Sequence, residues 1–298
     1  MKFYKLQASG NDFILLDKLR AKAKSSLVSY QKFARKYCCR CLGIGADGVL
    51  AIEPSLKADF KLRIFNADGS EAEMCGNGAR SVGFWAYQIQ GRRSINFETK
   101  AGIIEAKVVG SGRALTVKVK TSTPSDLAMD LLLKTLGRKL RVNFINTGVP
   151  HTVIFVEGLD KINVERIGRA VRFHRQFQPA GTNVNFVELR RNNSLAVRTY
   201  ERGVEAETLA CGTGAIASAI ISWFKFNPRL GVQKTVSMSV ATKSGDSLRV
   251  TFSAPARGWS ASGRKGGSAS SGVAGEKIIN LWLEGKAGLV YKGEITGI

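Results

Sequence analysis

The 298-residue chain writes one short passage twice: NADGSEAEMCGNGAR at 66–80 and ERGVEAETLACGTGA at 201–215, each an acidic run ending in Cys-Gly-x-Gly-Ala. Such a repeat constrains the fold more than composition does, because copies of one structural unit keep their internal spacing. Gly45 in GIGADGVL precedes Cys75 by 30 residues, and Gly181 in PAGTNVNF precedes Cys211 by 30. Gly10 in ASGNDF stands 65 residues before Cys75, and Gly148 in NTGVPH 63 before Cys211. Three landmarks recurring in order predict two copies of one unit.

The unit is of α/β type. Period-two or continuous apolar runs at 60–65, 103–109, 114–120, 153–157, 184–189, 196–200, 236–242 and 247–252 predict strands. Segments 29–41 and 160–173 read as surface helices, whereas Gly78–Gln90 and Gly214–Phe226 are apolar nearly all round, as central helices are. The fold class is therefore α/β with two pseudo-symmetric domains, each a sheet wrapped around a central apolar helix with a cysteine at its start.

Composition narrows the function. At 44% hydrophobic residues the chain can bury a core, and no stretch approaches the roughly 18 apolar residues of a membrane span, so a cytoplasmic protein is expected. The five cysteines are an odd number and do not read as a disulfide framework. Cys38 and Cys41 form a C-x-x-C, but no second such pair follows and His151 and His174 stand alone, so no metal site is expected. Cys38, Cys39 and Cys41 read as small apolar groups at a helix end. The net charge of +22 attracts anionic partners, yet the basic residues are scattered and match no nucleic-acid motif; a solvated basic surface is favoured over a nucleic-acid site. No phosphate-binding loop appears, and no lysine has a context that marks it for pyridoxal phosphate, so no cofactor is expected.

The first turn of a helix offers unpaired N–H groups and the positive end of its dipole, which bind carboxylates and favour thiolate over thiol. Two such ends, one from each domain, are expected to meet across a cleft with their thiols opposed. Removal of an α-proton from one face of an amino acid and its return to the other needs one thiolate base, one thiol acid and N–H donors for the carboxylate. An isolated Cys-Gly reads as a buried small hydrophobe; the duplication argues for chemistry.

These motifs resemble the diaminopimelate epimerase family. The resemblance runs through GNDF at 10–13, GIGADG at 43–48, FNADGSEAEMCGNGAR at 65–80, TGVPH at 147–151, TNVNF at 182–186, YERGVEAETLACGTGA at 200–215 and WLEGKAGLVYKGEI at 282–295. It implies a first half of residues 1–122 with 287–298, the last strand returning, and a second half of 123–286. It also implies cofactor-independent epimerisation of LL- to meso-diaminopimelate in lysine and peptidoglycan precursor synthesis. A small-molecule substrate and a homodimer are expected, with no membrane. Residue by residue, the catalytic thiols fall on Cys75 and Cys211, with His151 and Glu201 beside them. The carboxylate donors fall on Gly76, Asn77, Gly212 and Thr213, and Asn11, Asn66, Asn183, Glu201 and Arg202 match positions that grip substrate. A substrate with two carboxylates and two ammonium groups calls for Asn, Arg and Glu.

Three departures stand out. Val149 occupies a position where many relatives have asparagine, and Gly48 one where some have glutamine. The Gly/Ser-rich insertion near 255–275 has the composition of a mobile loop. Two alternatives stay open: a proline or hydroxyproline racemase, and a basic nucleic-acid-associated protein that keeps the fold without the reaction.

Overall fold

The structure, a computed structural model, describes residues 1–20, 27–227, 234–254 and 278–296, so the insertion at 255–275 lies outside the described residues. The chain divides into two compact units, Met1–Lys120 with Glu284–Ile298, and Thr121–Leu283. Among the described residues no helix is long and apolar enough to cross a membrane.

In the first unit, β1 (Lys2–Ala8) and β2 (Asn11–Asp17) pair antiparallel through a tight turn at Ser9-Gly10. Helix α1 (Leu27–Tyr37) leads to β3 (Gly48–Glu53), parallel to β2. Strand β4 (Phe60–Asn66) pairs antiparallel with β3, and the short β5 (Glu71–Ala72) folds back on β4. After helix α2 (Gly76–Gln90), β6 (Ser94–Thr99) joins β4 in parallel, and β7 (Gly102–Val109) and β8 (Thr116–Lys120) follow antiparallel.

The second unit repeats the plan. Strands β9 (Ser125–Thr135), β10 (Arg138–Asn146) and β11 (Pro150–Phe155) pair antiparallel in turn. Helix α3 (Val164–Arg172) precedes β12 (Asn183–Arg190), parallel to β11, with β13 (Ser194–Glu201) and β14 (Ala206–Thr208) following antiparallel. After helix α4 (Gly212–Phe226), β15 (Lys234–Ala241) joins β13 in parallel and β16 (Ser247–Ala254) pairs with β15. Strand β17 (Ile279–Gly285) brings the chain back, and β18 (Gly288–Glu294) pairs antiparallel with β1. Parallel and antiparallel pairings thus fall at equivalent places in both units.

Burial explains why each sheet has two covered faces. In β2, Phe13 and Leu15 join the α2 core with Leu50, Leu62, Val82 and Trp85, while Ile14 and Leu16 face the α1 core with Tyr30, Phe33 and Val49. In the second unit Val153, Val187 and Val197 pack on α4, and Ile154, Phe186 and Tyr200 pack on α3. Each such side chain contributes about 1.5–3 kcal/mol on burial. The landmark glycines match as well: Gly10 and Gly148 have φ of 82° and 100°, and Gly45 and Gly181 have 76° and 67°, all in the left-handed region where glycine alone is unstrained.

The structure corrects some expectations. The central helices begin two residues earlier than predicted, at Gly76 and Gly212, because glycine occupies the first turn and the cysteine itself is the N-cap. Helix α3 starts at Val164, where Asn163 caps it by accepting from the Arg166 N–H. Strands β1–β3, β5, β6, β9, β10, β14, β17 and β18 add to the eight predicted. The reading of Cys38, Cys39 and Cys41 as packed apolar groups holds for Cys38 alone: burial pushes its thiol up to about 11, whereas Cys39 and Cys41 are exposed beyond the end of α1.

Candidate active site

Each unit presents one cysteine at the N-terminus of its central helix. Cys75 and Cys211 have extended backbones (φ −141°, ψ 118° and φ −117°, ψ 111°), and each sulfur accepts a backbone N–H three residues on, from Gly78 at 3.5 Å and Gly214 at 3.4 Å. The approach is close because those residues are glycines: a Cβ on Gly214 would lie 3.2 Å from the Cys211 Cβ.

Around Cys75 the polar side chains are fixed in orientation. Asn11 Nδ2 donates to Asp47 Oδ2 at 2.6 Å, which leaves Asn11 Oδ1 to accept from Asn77 Nδ2 at 3.2 Å and from Cys75 Sγ at 3.9 Å. The buried Arg80 donates to Asn77 Oδ1 at 2.7 Å and to Ser9 Oγ at 3.2 Å. Behind Asn11, Arg40 donates to both Asp12 oxygens and to Asp47, and the buried Lys5 pairs with Asp12 at 2.6 Å. Burial alone would raise the Asp12 carboxyl, but Arg40 and Lys5 outweigh it and hold it at about 2. Asn66 is exposed at the end of β4 and donates to Ser70 Oγ. It lies opposite Gly48, where a Cβ would stand 2.5 Å from the Phe65 carbonyl oxygen, so this backbone leaves no room for a side chain such as glutamine.

Around Cys211 the strand ends supply the groups. His151 on β11 pairs in register with Asn183 on β12. Asn183 Nδ2 donates to Pro150 O at 3.0 Å, and its Oδ1 accepts the Arg202 backbone N–H at 2.8 Å. The Arg202 guanidinium donates to Ala180 O and makes none of the ion pairs found among the described residues. Burial pushes the Glu201 carboxyl up, with Thr208 opposing the rise and no cation among the described residues compensating it. His151 is fully buried, and desolvation, helped by the Arg202 charge, pushes its imidazole down to about 3, so the ring is neutral. Thr213 Oγ1 lies 3.4 Å from Cys211 Sγ, and Thr147 Oγ1 donates to Thr213 O at 3.3 Å.

Within the first unit the structure therefore brings Asn11, Cys75, Gly76 and Asn77 together, with Asn66 at the strand end beyond them. Within the second it groups His151, Asn183, Glu201, Arg202, Cys211, Gly212 and Thr213. Val149 precedes them and is partly buried, with its carbonyl accepting from the Thr147 N–H. Sequence reasoning missed Asp47, Asn185 and a repeated ionic brace. Arg63 and Lys100 hold Glu71, and Arg198 and Lys243 hold Glu207, at 2.7–2.9 Å. Each glutamate lies four residues before its cysteine, a signal visible once the repeats are counted back from the cysteines.

The duplicated unit assigns the chain to a fold class shared by isomerase-type and phenazine-biosynthesis proteins. A PhzF-family protein from Bacillus anthracis overlays with a TM-score of 0.70 at 16% identity, covering 99% of this chain and 98% of that one. A probable proline racemase from Agrobacterium radiobacter gives 0.66 at 14%, covering 99% and 92%. At such identities the likeness shows fold alone. Sequence is more specific: residues 3–126 and 143–253 match the diaminopimelate epimerase family, and the chain belongs to that family. It is 47% identical over 261 residues to the diaminopimelate epimerase of Aquifex aeolicus, covering 85% of this chain and 90% of the relative. Against that of Chlorobaculum tepidum it is 35% identical over 294 residues, covering 98% and 100%.

Proposed function

We propose that this protein interconverts LL- and meso-diaminopimelate by a two-thiol mechanism that needs no cofactor, supplying lysine and peptidoglycan precursor synthesis. The observation that carries the reading is the matched pair of thiols, Cys75 and Cys211, each capping the central helix of one unit. With one sulfur on each face of the α-carbon, one thiolate takes the α-proton. The charge left behind spreads into the carboxylate, where the first-turn N–H groups at Gly76, Asn77, Gly212 and Thr213 stabilise it. The opposite thiol then returns a proton to the other face, and the two sulfurs end with exchanged protonation states. Glu201, half-buried with no cation beside it among the described residues, suits a substrate ammonium, and Arg202, free of any carboxylate partner among the described residues, suits a substrate carboxylate.

The test is isomerisation in D₂O without added cofactor, with each thiol removed in turn. The product is expected to carry deuterium at the inverted α-carbon. Cys75→Ala and Cys211→Ala are each expected to lower turnover by about 10²–10⁴, the usual contribution of a positioned acid or base. Faster racemisation of proline than of diaminopimelate, or full activity in either variant, would overturn the proposal.

A further inference from the structure

Asn185 has no part in the chemistry above, yet it is fully buried on β12 and every hydrogen-bonding direction of its amide but one is used. Its Nδ2 donates to the Thr152 carbonyl oxygen at 3.0 Å, and its Oδ1 accepts from Thr199 Oγ1 at 2.9 Å. A carbonyl oxygen only accepts, so the atom facing Thr152 must be the NH₂ group, and the orientation of the amide is settled. The same NH₂ lies 3.1 Å from His151 Nδ1. Nδ1 must then be the lone-pair nitrogen, and the ring proton sits on Nε2.

That Nε2–H is buried and has no partner among the described residues. A buried donor left unpaired costs about 1–3 kcal/mol, so it is retained where an incoming group satisfies it. The surroundings say which kind. Arg202 is the charged group that bears on the ring, and among the described residues its guanidinium donates to a backbone carbonyl and to no carboxylate. The amide of Asn185 also abuts the first turn of α4, where a Cβ on Gly214 would lie 2.3 Å from Asn185 Oδ1. The imidazole is therefore linked through Asn185 to the first turn of α4 and lies in the field of the Arg202 charge, a setting for an anion.

We propose that Asn185 is a positioning residue that locks His151 as the neutral Nε2–H tautomer, and that His151 donates this proton in a hydrogen bond to the substrate carboxylate held at the α4 N-terminus. His151 is then a donor to developing negative charge and never a general base. The second half of this inference rests on the epimerase reading; the tautomer does not.

The experiment is long-range ¹H–¹⁵N correlation on the full chain with ¹⁵N-labelled histidine, using His151→Gln to assign the signal. Wild type is expected to show one neutral Nε2–H ring that does not titrate between pH 5 and 8. Asn185→Asp, which offers a carboxylate to Nδ1, is expected to move the proton to Nδ1 or to charge the ring, and to create an ionisation in the kcat/KM profile that wild type lacks. Addition of meso-diaminopimelate to wild type is expected to shift the Nε2 proton downfield. Among the ring variants, His151→Gln, whose amide replaces the Nε2–H donor, is expected to keep kcat at least about tenfold above that of His151→Ala, with KM similar. An Nδ1–H or titrating ring in wild type overturns the tautomer lock. Turnover of diaminopimelate without movement of the Nε2 proton overturns the carboxylate contact. No turnover beside an intact Nε2–H signal would sink the epimerase reading and the carboxylate contact while upholding the lock.

Discussion

Glu71 and Glu207 occupy one position in the two halves of this protein, four residues before Cys75 and Cys211, and each is gripped by one arginine and one lysine, with Arg198 reaching both oxygens of Glu207. Burial would raise both carboxyls, but their cations hold both below the usual glutamate range. The brace pins the short strand that delivers each cysteine to its helix. Glu71→Gln and Glu207→Gln leave a charged partner uncompensated and are each expected to destabilise by about 1–3 kcal/mol, read by urea denaturation. Each is also expected to lower kcat. Unchanged stability in both would show that the pairs are solvated ornaments.

Acid should expose the network behind Asn11. Asp12 is held at about 2, below its ordinary 3.8, so its contribution is complete above about pH 4 and is lost as the pH falls through about 2. That depression corresponds to about 2 kcal/mol. Chemical denaturation of wild type and Asp12→Asn is expected to give curves that converge between pH 4 and 2 and stay apart at pH 7. A constant gap across that range would remove Asp12 from the account.

Glu201 gives the opposite sign. Its carboxyl is pushed up by burial, so the ionised form needed for an ammonium ligand is gained only as the pH rises past the ordinary glutamate range. The kcat/KM of wild type is expected to show a rising limb there, and Glu201→Gln is expected to lose that limb and raise KM at least about tenfold, as befits a hydrogen bond to a charged group. A limb that survives in the variant belongs to another group.

The strand pair β3–β4 tolerates no side chain at position 48, because a Cβ would press on the backbone oxygen of Phe65. Backbone cannot rotate away as a side-chain tip can. Gly48→Ala is expected to cost about 1–3 kcal/mol in thermal or urea unfolding. A neutral result would mean that the strands are free to separate at that point.

The parts of this molecule most legible in sequence were those written twice. Equal spacing from Gly45 and Gly181 to the two cysteines announced the duplicated unit, and the apolar runs at 78–90 and 214–226 announced its central helices. Strand β1 was hidden because Lys5, buried against Asp12, interrupts its apolar pattern with a charge. In the β9–β10 hairpin, Leu, Ala, Met and Lys suit a helix, and the turn at Leu136-Gly137, with both φ positive, decides otherwise. Asn185 was missed because its importance lies in the orientation of one amide, which no spacing encodes.

Both halves retain the thiol cap, but their surroundings have diverged: Asn11 borders Cys75, while Val149 holds the corresponding place after Gly148 and a histidine and a threonine furnish the second half. A catalyst built this way has a head and a tail. In the mechanism proposed here it leaves each turnover in a different protonation isomer from the one it entered, and the two isomers sit in unlike settings. The maximal velocities in the two directions are therefore free to differ, and only their ratio to the respective KM values is tied to the equilibrium between the isomeric amino acids.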